Sequence, residues 1–142
     1  MRLFLDSSVM LTACRSRVGA ARWILDRAER HGWELLMSPY AIREVEANLQ
    51  RVTADGGADW PTLRTRIRVV TDISTLDVPT VFLKAKDRPI LFAAYAWSEV
   101  LLTHDREDFL AMLGDHFYRL KIRTPQDFLR EQRQAGMLQI EP

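Results

Sequence analysis

Short apolar runs of strand length alternate along the chain with segments of helical periodicity. The runs lie at residues 2–5, 33–37, 67–70, 100–103 and 118–122. Between them, apolar residues recur every three or four positions, which is typical of helices that bury one face. The pattern therefore predicts strands and helices in alternation.

The clearest helical signal covers residues 39–52. Ser38 stands at the N-cap position and Pro39 opens the helix, an arrangement that proline tolerates because the first helical N–H needs no partner. The predicted buried stripe is Ile42, Val45, Leu49 and Val52.

Weaker patterns predict the remaining helices. Val18, Ala21, Leu25 and Ala28 have helical spacing after the first strand. Asp87 is expected to cap a helix that runs through Trp97, and further helical segments are predicted at residues 63–67, 106–113 and 125–134. Residues 71–85 carry no pattern that we assign.

This order of elements predicts an α/β fold. We expect a single domain over residues 1–142, with a parallel central sheet and helices on both of its faces. In such sheets ligands bind outside the carboxyl ends of the strands.

Composition limits the kinds of site and the cellular locations that we expect for the protein. The single cysteine, Cys14, excludes an intramolecular disulfide and a multi-thiolate zinc site, which favours a reducing, cytoplasmic location. Asp6 interrupts the first apolar run before it reaches the length of a secretory signal, and the longest charge-free apolar run, residues 89–98, is half of the ~20 residues that a membrane span needs. We expect neither export nor membrane insertion.

The net charge of +1 gives no global field for nucleic acid, so any binding of nucleic acid must be local. Candidate chemistry lies in acidic residues instead. Asp6 and Asp105 each follow a predicted strand, while Asp87 and Glu44 lie near the N-terminal ends of predicted helices, which reach the same edge of the sheet. The four carboxylates are therefore expected to converge.

Carboxylates packed together repel one another, so a positive ion is expected among them. Oxygen ligands select Mg²⁺, with Mn²⁺ able to substitute, and such ions promote hydrolysis of phosphodiesters. Ser7, Ser8 and Thr103 flank the strand-end aspartates as possible partners, and Asp108 is a secondary candidate.

Simpler roles are open for some of these acids. Asp87 has the position of an ordinary N-cap residue, and Glu44 has the character of a solvated helix acid, with Glu46 as its rival. The chain has no phosphate-binding glycine loop, no Cys/His zinc spacing and no nucleophilic serine elbow.

Five motifs, in this order along the chain, resemble the PIN-domain nucleases, in particular the small bacterial VapC-type toxins. The motifs are LDSSV (residues 5–9), SPYAIREVEANL (38–49), KDRPILFAAYAW (86–97), LLTHDREDF (101–109) and IRTPQDFL (122–129). The resemblance implies the PIN fold and a metal-dependent endoribonuclease.

Carried onto matching positions, the resemblance makes Asp6, Glu44, Asp87 and Asp105 the Mg²⁺ ligands and catalytic acids, with Asp108 as an outer member. It favours Glu44 over Glu46. It also implies an RNA substrate, an inhibitory antitoxin protein and a homodimer. Two alternatives stay open: a PIN-fold RNA-processing nuclease that is not a toxin, and a non-catalytic RNA-binding module.

Overall fold

A computed structural model describes residues 1–79, 85–105 and 115–138 of the chain. The strands are β1 (Arg2–Leu5), β2 (Glu34–Met37), β3 (Arg68–Val69), β4 (Val100–Leu102), β5 (His116–Phe117) and β6 (Leu120–Arg123). The helices of the described residues are α1 (Ser7–Arg15), α2 (Ala20–His31), α3 (Pro39–Val52), α4 (Trp60–Arg64), α5 (Arg88–Trp97) and α6 (Pro125–Gln134).

Over the described ranges, the strands form one six-stranded sheet in the order β3-β2-β1-β4-β6-β5. Every pairing is parallel except that of β5 with β6, which is antiparallel. The predicted α/β class is confirmed, but the sheet is mostly rather than wholly parallel. The exception arises because Tyr118 adopts a left-handed φ of 54° in the turn between β5 and β6. For the same reason the strand predicted at residues 118–122 begins two residues later, at Leu120.

Both faces of the sheet centre are covered. All of Leu3, Phe4 and Leu5 in β1 are buried, and so are the three residues of β4. Because successive side chains of a strand point to opposite faces, burial of every residue requires cover on both sides. Helix α5 contacts β1 and β4, while α2 contacts β2 and α6 contacts β6.

The helix predicted at residues 39–52 is confirmed, since α3 has these bounds and Ser38 Oγ accepts a hydrogen bond from the Ala41 N–H at 3.4 Å. Three residues of its predicted stripe are buried, but Val52, the last residue of the helix, is only partly buried. The predicted helix containing Val18 is partly wrong. Two helices, α1 and α2, follow β1, and Val18 is exposed between them. The break is stabilised by Gly19, which precedes α2 at the N-cap position with a φ of 105° that favours glycine.

The helix predicted at residues 63–67 is wrong in its bounds. Helix α4 covers Trp60–Arg64 instead, because Pro61 suits the first turn of a helix. The remaining described helices agree with the patterns except at one point. Helix α5 ends at Trp97 as predicted, but Asp87 makes no side-chain capping hydrogen bond at its start. Helix α6 opens with Thr124 accepting a hydrogen bond from the Asp127 N–H. The predicted helix at residues 106–113 lies outside the described residues. Within the described ranges, no helix has both the length and the apolar character needed to cross a membrane.

Candidate functional site

The order of the strands creates a crevice at the carboxyl end of β1. The chain passes from β1 to β2 and β3 on one side, then returns to β4 on the other side of β1. Connections that leave in opposite directions separate at this point, which is where ligands bind in open α/β sheets. Asp6 directly follows β1, and Thr103 directly follows β4.

A cleft of about 280 Å³ opens there. All four predicted acids line it, together with two of the predicted hydroxyl residues. The lining residues are Asp6, Ser7, Ser8, Glu44, Lys86, Asp87, Ile90, His104 and Asp105.

The acids come from four separate segments, each brought to this edge by a different element. Asp6 joins β1 to α1, and Asp105 follows the end of β4. Glu44 lies in the second turn of α3, and Asp87 immediately precedes α5. Because helices antiparallel to their strands begin at the carboxyl edge, α3 and α5 deliver their acids to the same place as the strands.

Asp6 is buried and held by hydroxyl groups. Its Oδ2 accepts hydrogen bonds from Thr103 Oγ1 at 2.8 Å and from Ser8 Oγ at 3.0 Å, while Ser7 Oγ lies 3.5 Å from Oδ1. Burial raises the pKa of the Asp6 carboxyl, the hydroxyl bonds oppose this, and the charge of Asp105 raises it further. The net pKa lies above its ordinary value.

The same hydroxyls also fix the segment that carries Asp105. Thr103 Oγ1 accepts a hydrogen bond from the Asp105 N–H at 2.9 Å, and Ser8 Oγ accepts one from the His104 N–H at 3.1 Å. Thr103 is fully buried and is not itself exposed in the cleft. Ser8 and Thr103 therefore link Asp6 to the backbone of residues 104–105.

Glu44 carries the clearest electrostatic sign of crowding. Burial, then the charges of Asp6 and Asp87, raise the pKa of its carboxyl from 4.5 to about 7, while Lys86 lowers it. Two other carboxylates thus act on a half-buried third. Their mutual repulsion is the condition under which an acidic cluster is expected to attract a cation.

The structure separates Glu44 from its rival. Glu46 is exposed and accepts a long hydrogen bond of 3.5 Å from Trp60 Nε1, whereas Glu44 lines the cleft. Asp87, which lacks a capping bond, is buried against the cleft rather than serving as an ordinary N-cap. Asp108 lies outside the described residues.

Sequence reasoning did not select three of the lining residues. Lys86 and His104 are sequence neighbours of predicted acids, and Ile90 lies in the first turn of α5. The available signal for Lys86 and His104 was that they adjoin Asp87 and Asp105, but neither the lysine nor the histidine forms a motif on its own.

A metal ion is compatible with the chemistry of this lining. Among the described residues, no three or more His, Cys, Asp or Glu side chains are arranged as a ready-made metal site. Its described lining nevertheless offers four carboxylates and adjacent hydroxyls, and it includes no sulfur ligand. Such oxygen donors suit hard divalent cations, Mg²⁺ foremost, and a bound cation would offset the repulsion between the acids.

Comparisons with family models, with curated proteins and with solved structures gave no match to this chain. The resemblance to PIN-domain nucleases therefore stays a prediction from the sequence motifs.

Proposed function

We propose that the protein is a cytoplasmic, Mg²⁺-dependent endoribonuclease with a PIN-like fold, and that it acts as the toxin of a toxin–antitoxin pair. One observation carries the nuclease proposal: acids from four separate segments line one cleft at the switch point of a mostly parallel sheet. A cleft with this charge would hold a divalent cation, and the positive charge of that cation would suit an anionic substrate.

The residues proposed to hold the cation are Asp6, Glu44, Asp87 and Asp105. Oδ2 of Asp6 accepts two hydroxyl hydrogen bonds at 2.8 and 3.0 Å, whereas Oδ1 accepts a long one of 3.5 Å from Ser7 Oγ, so Oδ1 is the oxygen with more capacity for a cation. When bound, Mg²⁺ supplies positive charge to the scissile phosphate and promotes ionisation of the attacking water.

The chain's own residues have distinct tasks in this proposal. Ser8 and Thr103 keep Asp6 and the Asp105 backbone in a fixed relation, which preorganises two of the acids. Lys86 lines the same cleft with a positive charge, which suits it to bind a phosphate group next to the acids. The acids repel substrate phosphate when no cation is present, so activity is expected to depend strictly on the metal.

Cleavage of labelled RNA tests the proposal. Chelator-treated protein should cleave single-stranded or loop RNA after addition of Mg²⁺ or Mn²⁺, should fail in excess EDTA, and should gain little from Zn²⁺. Asp6→Asn should be inactive, while Glu46→Gln, which changes an exposed acid of the same helix as Glu44, should retain activity. Undiminished cleavage in EDTA would refute the metal mechanism, and a preference for duplex DNA would refute the substrate class.

Two further experiments test the toxin role. Expression of the parent chain in a bacterial host should arrest growth, and expression of Asp6→Asn should not. A small reading frame next to the gene should encode a protein that relieves the arrest. RNA cleavage without growth arrest, and without such a neighbour, would indicate an RNA-processing nuclease, while metal-independent RNA binding without cleavage would indicate a non-catalytic module.

A further inference from the structure

Tyr40 lies one helical turn before Glu44 in α3, outside the lining of the cleft. Its hydroxyl donates a hydrogen bond to the backbone carbonyl of Lys86 at 3.1 Å. Lys86 immediately precedes Asp87, the acid at the start of α5. The phenol therefore joins the helix that carries Glu44 to the turn that carries Asp87.

The placement of Asp87 gives this link its importance. Its side chain makes no capping hydrogen bond to α5, so the cap of its own helix does not fix the carboxylate. The backbone of Tyr40 is itself anchored, because its N–H donates to Asp72 Oδ1 at 3.2 Å. A fixed tyrosine thus holds the Lys86 carbonyl, and with it the backbone next to Asp87.

The electrostatics of the phenol agree with this geometry. Burial raises the pKa of Tyr40, and the charges of Glu44 and Asp87 raise it further. Both acids therefore act electrostatically on the phenol of Tyr40. A phenol keeps its proton at neutral pH, so the hydroxyl of Tyr40 is a hydrogen-bond donor to the carbonyl.

We propose that Tyr40 is a positioning residue for the metal: through Lys86, its hydroxyl sets the separation of the Glu44 and Asp87 carboxylates so that one cation can bind both. This inference rests on the proposed metal-dependent function and adds to it a residue outside the cleft. Partners that orient metal ligands from behind affect metal affinity by about 10- to 100-fold when they are removed.

The test compares two tyrosine variants. Tyr40→Phe removes one oxygen and keeps the ring, so the fold should be retained. Tyr118→Phe is a matched control, because its hydroxyl also donates to a backbone carbonyl, that of Pro79 at 2.9 Å, and Tyr118 is exposed and does not line the cleft. Calorimetric titration of chelator-treated protein with Mn²⁺ alone gives the affinity of each variant.

We expect Tyr40→Phe to bind Mn²⁺ about tenfold more weakly than the parent and Tyr118→Phe to bind it within about twofold of the parent. The Mn²⁺ concentration for half-maximal RNA cleavage should rise in parallel for Tyr40→Phe, and kcat at saturating Mn²⁺ should recover. A residue that only supported the fold would not give this recovery. Melting curves in EDTA record the effect of each variant on stability.

Three results would overturn the inference in distinguishable ways. Equal Mn²⁺ affinity of Tyr40→Phe and the parent would refute the positioning role and leave the metal-dependent function standing. Equal weakening in both tyrosine variants would show a general loss of stability instead. If the parent binds neither Mn²⁺ nor Mg²⁺, the proposed function fails, and the inference fails with it.

Discussion

Neutralising Glu44 should stabilise the metal-free protein above neutral pH. The pKa of this carboxyl rises from 4.5 to about 7 on folding, so the folded state disfavours its charged form. The unfavourable contribution is absent below pH 4.5, where the group is protonated in both states. It grows as pH rises and is complete above pH 7, where Glu44 is charged in both states. Glu44→Gln should remove it.

The magnitude follows from the size of this change and the exposure of the side chain. The interval from 4.5 to about 7 corresponds to at most roughly 3 kcal/mol. Because Glu44 is only half-buried, solvent reduces both the cost of burying its charge and the repulsion by Asp6 and Asp87, so a gain of about 1 kcal/mol in the free energy of unfolding is a better expectation. For a chain of 142 residues this corresponds to roughly 3–4 °C in melting temperature.

The assay is thermal or urea unfolding of the parent and Glu44→Gln from pH 4 to pH 8 with EDTA present. The difference should be close to zero at pH 4 and reach its full value at pH 8. Glu46→Gln is the control, since this exposed acid of the same helix has little burial to relieve. Two results would refute the reasoning: a Glu44→Gln variant less stable than the parent at pH 8, or a gain of the same size at pH 4.

Three other outcomes are expected. Asp6→Asn and Asp105→Asn should each lose RNA cleavage while the metal-free protein keeps or raises its melting temperature, because a charge leaves a repelling cluster; a drop of several degrees would mean that these acids hold the fold. Thr103→Val should lower the free energy of unfolding by about 1–3 kcal/mol in urea titrations, because Asp6 and the Asp105 N–H both lose a partner, and Thr103→Ser should recover most of it; equal losses would contradict this. If an antitoxin exists, an arginine of that partner should enter the cleft and its replacement by alanine should weaken inhibition of cleavage, since a guanidinium binds carboxylates in bidentate fashion; a complex that leaves the cleft open would count against this.

The sequence was most informative where local patterns and topology agree. An aspartate directly after a buried strand, as Asp6 is, lies at the carboxyl edge of a parallel sheet. Glu44 and Asp87 were predictable for the same reason, since their helices begin at that edge. Local pattern thus predicted which acids reach the cleft without giving any distance between them.

Other features depend on contacts that no local pattern contains. The β5–β6 hairpin requires the left-handed φ of Tyr118, a conformation that a tyrosine seldom adopts and that sequence alone does not indicate. Val18 lies at the surface in the break between α1 and α2, although its spacing from Ala21 and Leu25 is typical of a buried helix face. The hydrogen bond of Tyr40 to Lys86 joins residues far apart in sequence, so only the packing of α3 and α5 reveals it.

The negative charges of Asp6, Asp87 and Glu44 are not stabilised equally by their surroundings. This difference explains why Glu44 is the best probe of the cleft. Asp6 and Asp87 immediately precede α1 and α5, where the positive end of the helix dipole favours a carboxylate, and Asp6 also accepts two hydroxyl hydrogen bonds. Glu44 lies in the second turn of α3, beyond the range in which that dipole acts strongly. Burial and the charges of Asp6 and Asp87 raise the pKa of Glu44, and the positive charge of Lys86 opposes them. Neutralising Glu44, by mutation or with a cation, therefore relieves the burial of its charge and the repulsion by Asp6 and Asp87 without also removing a helix-dipole contribution or a hydroxyl hydrogen bond.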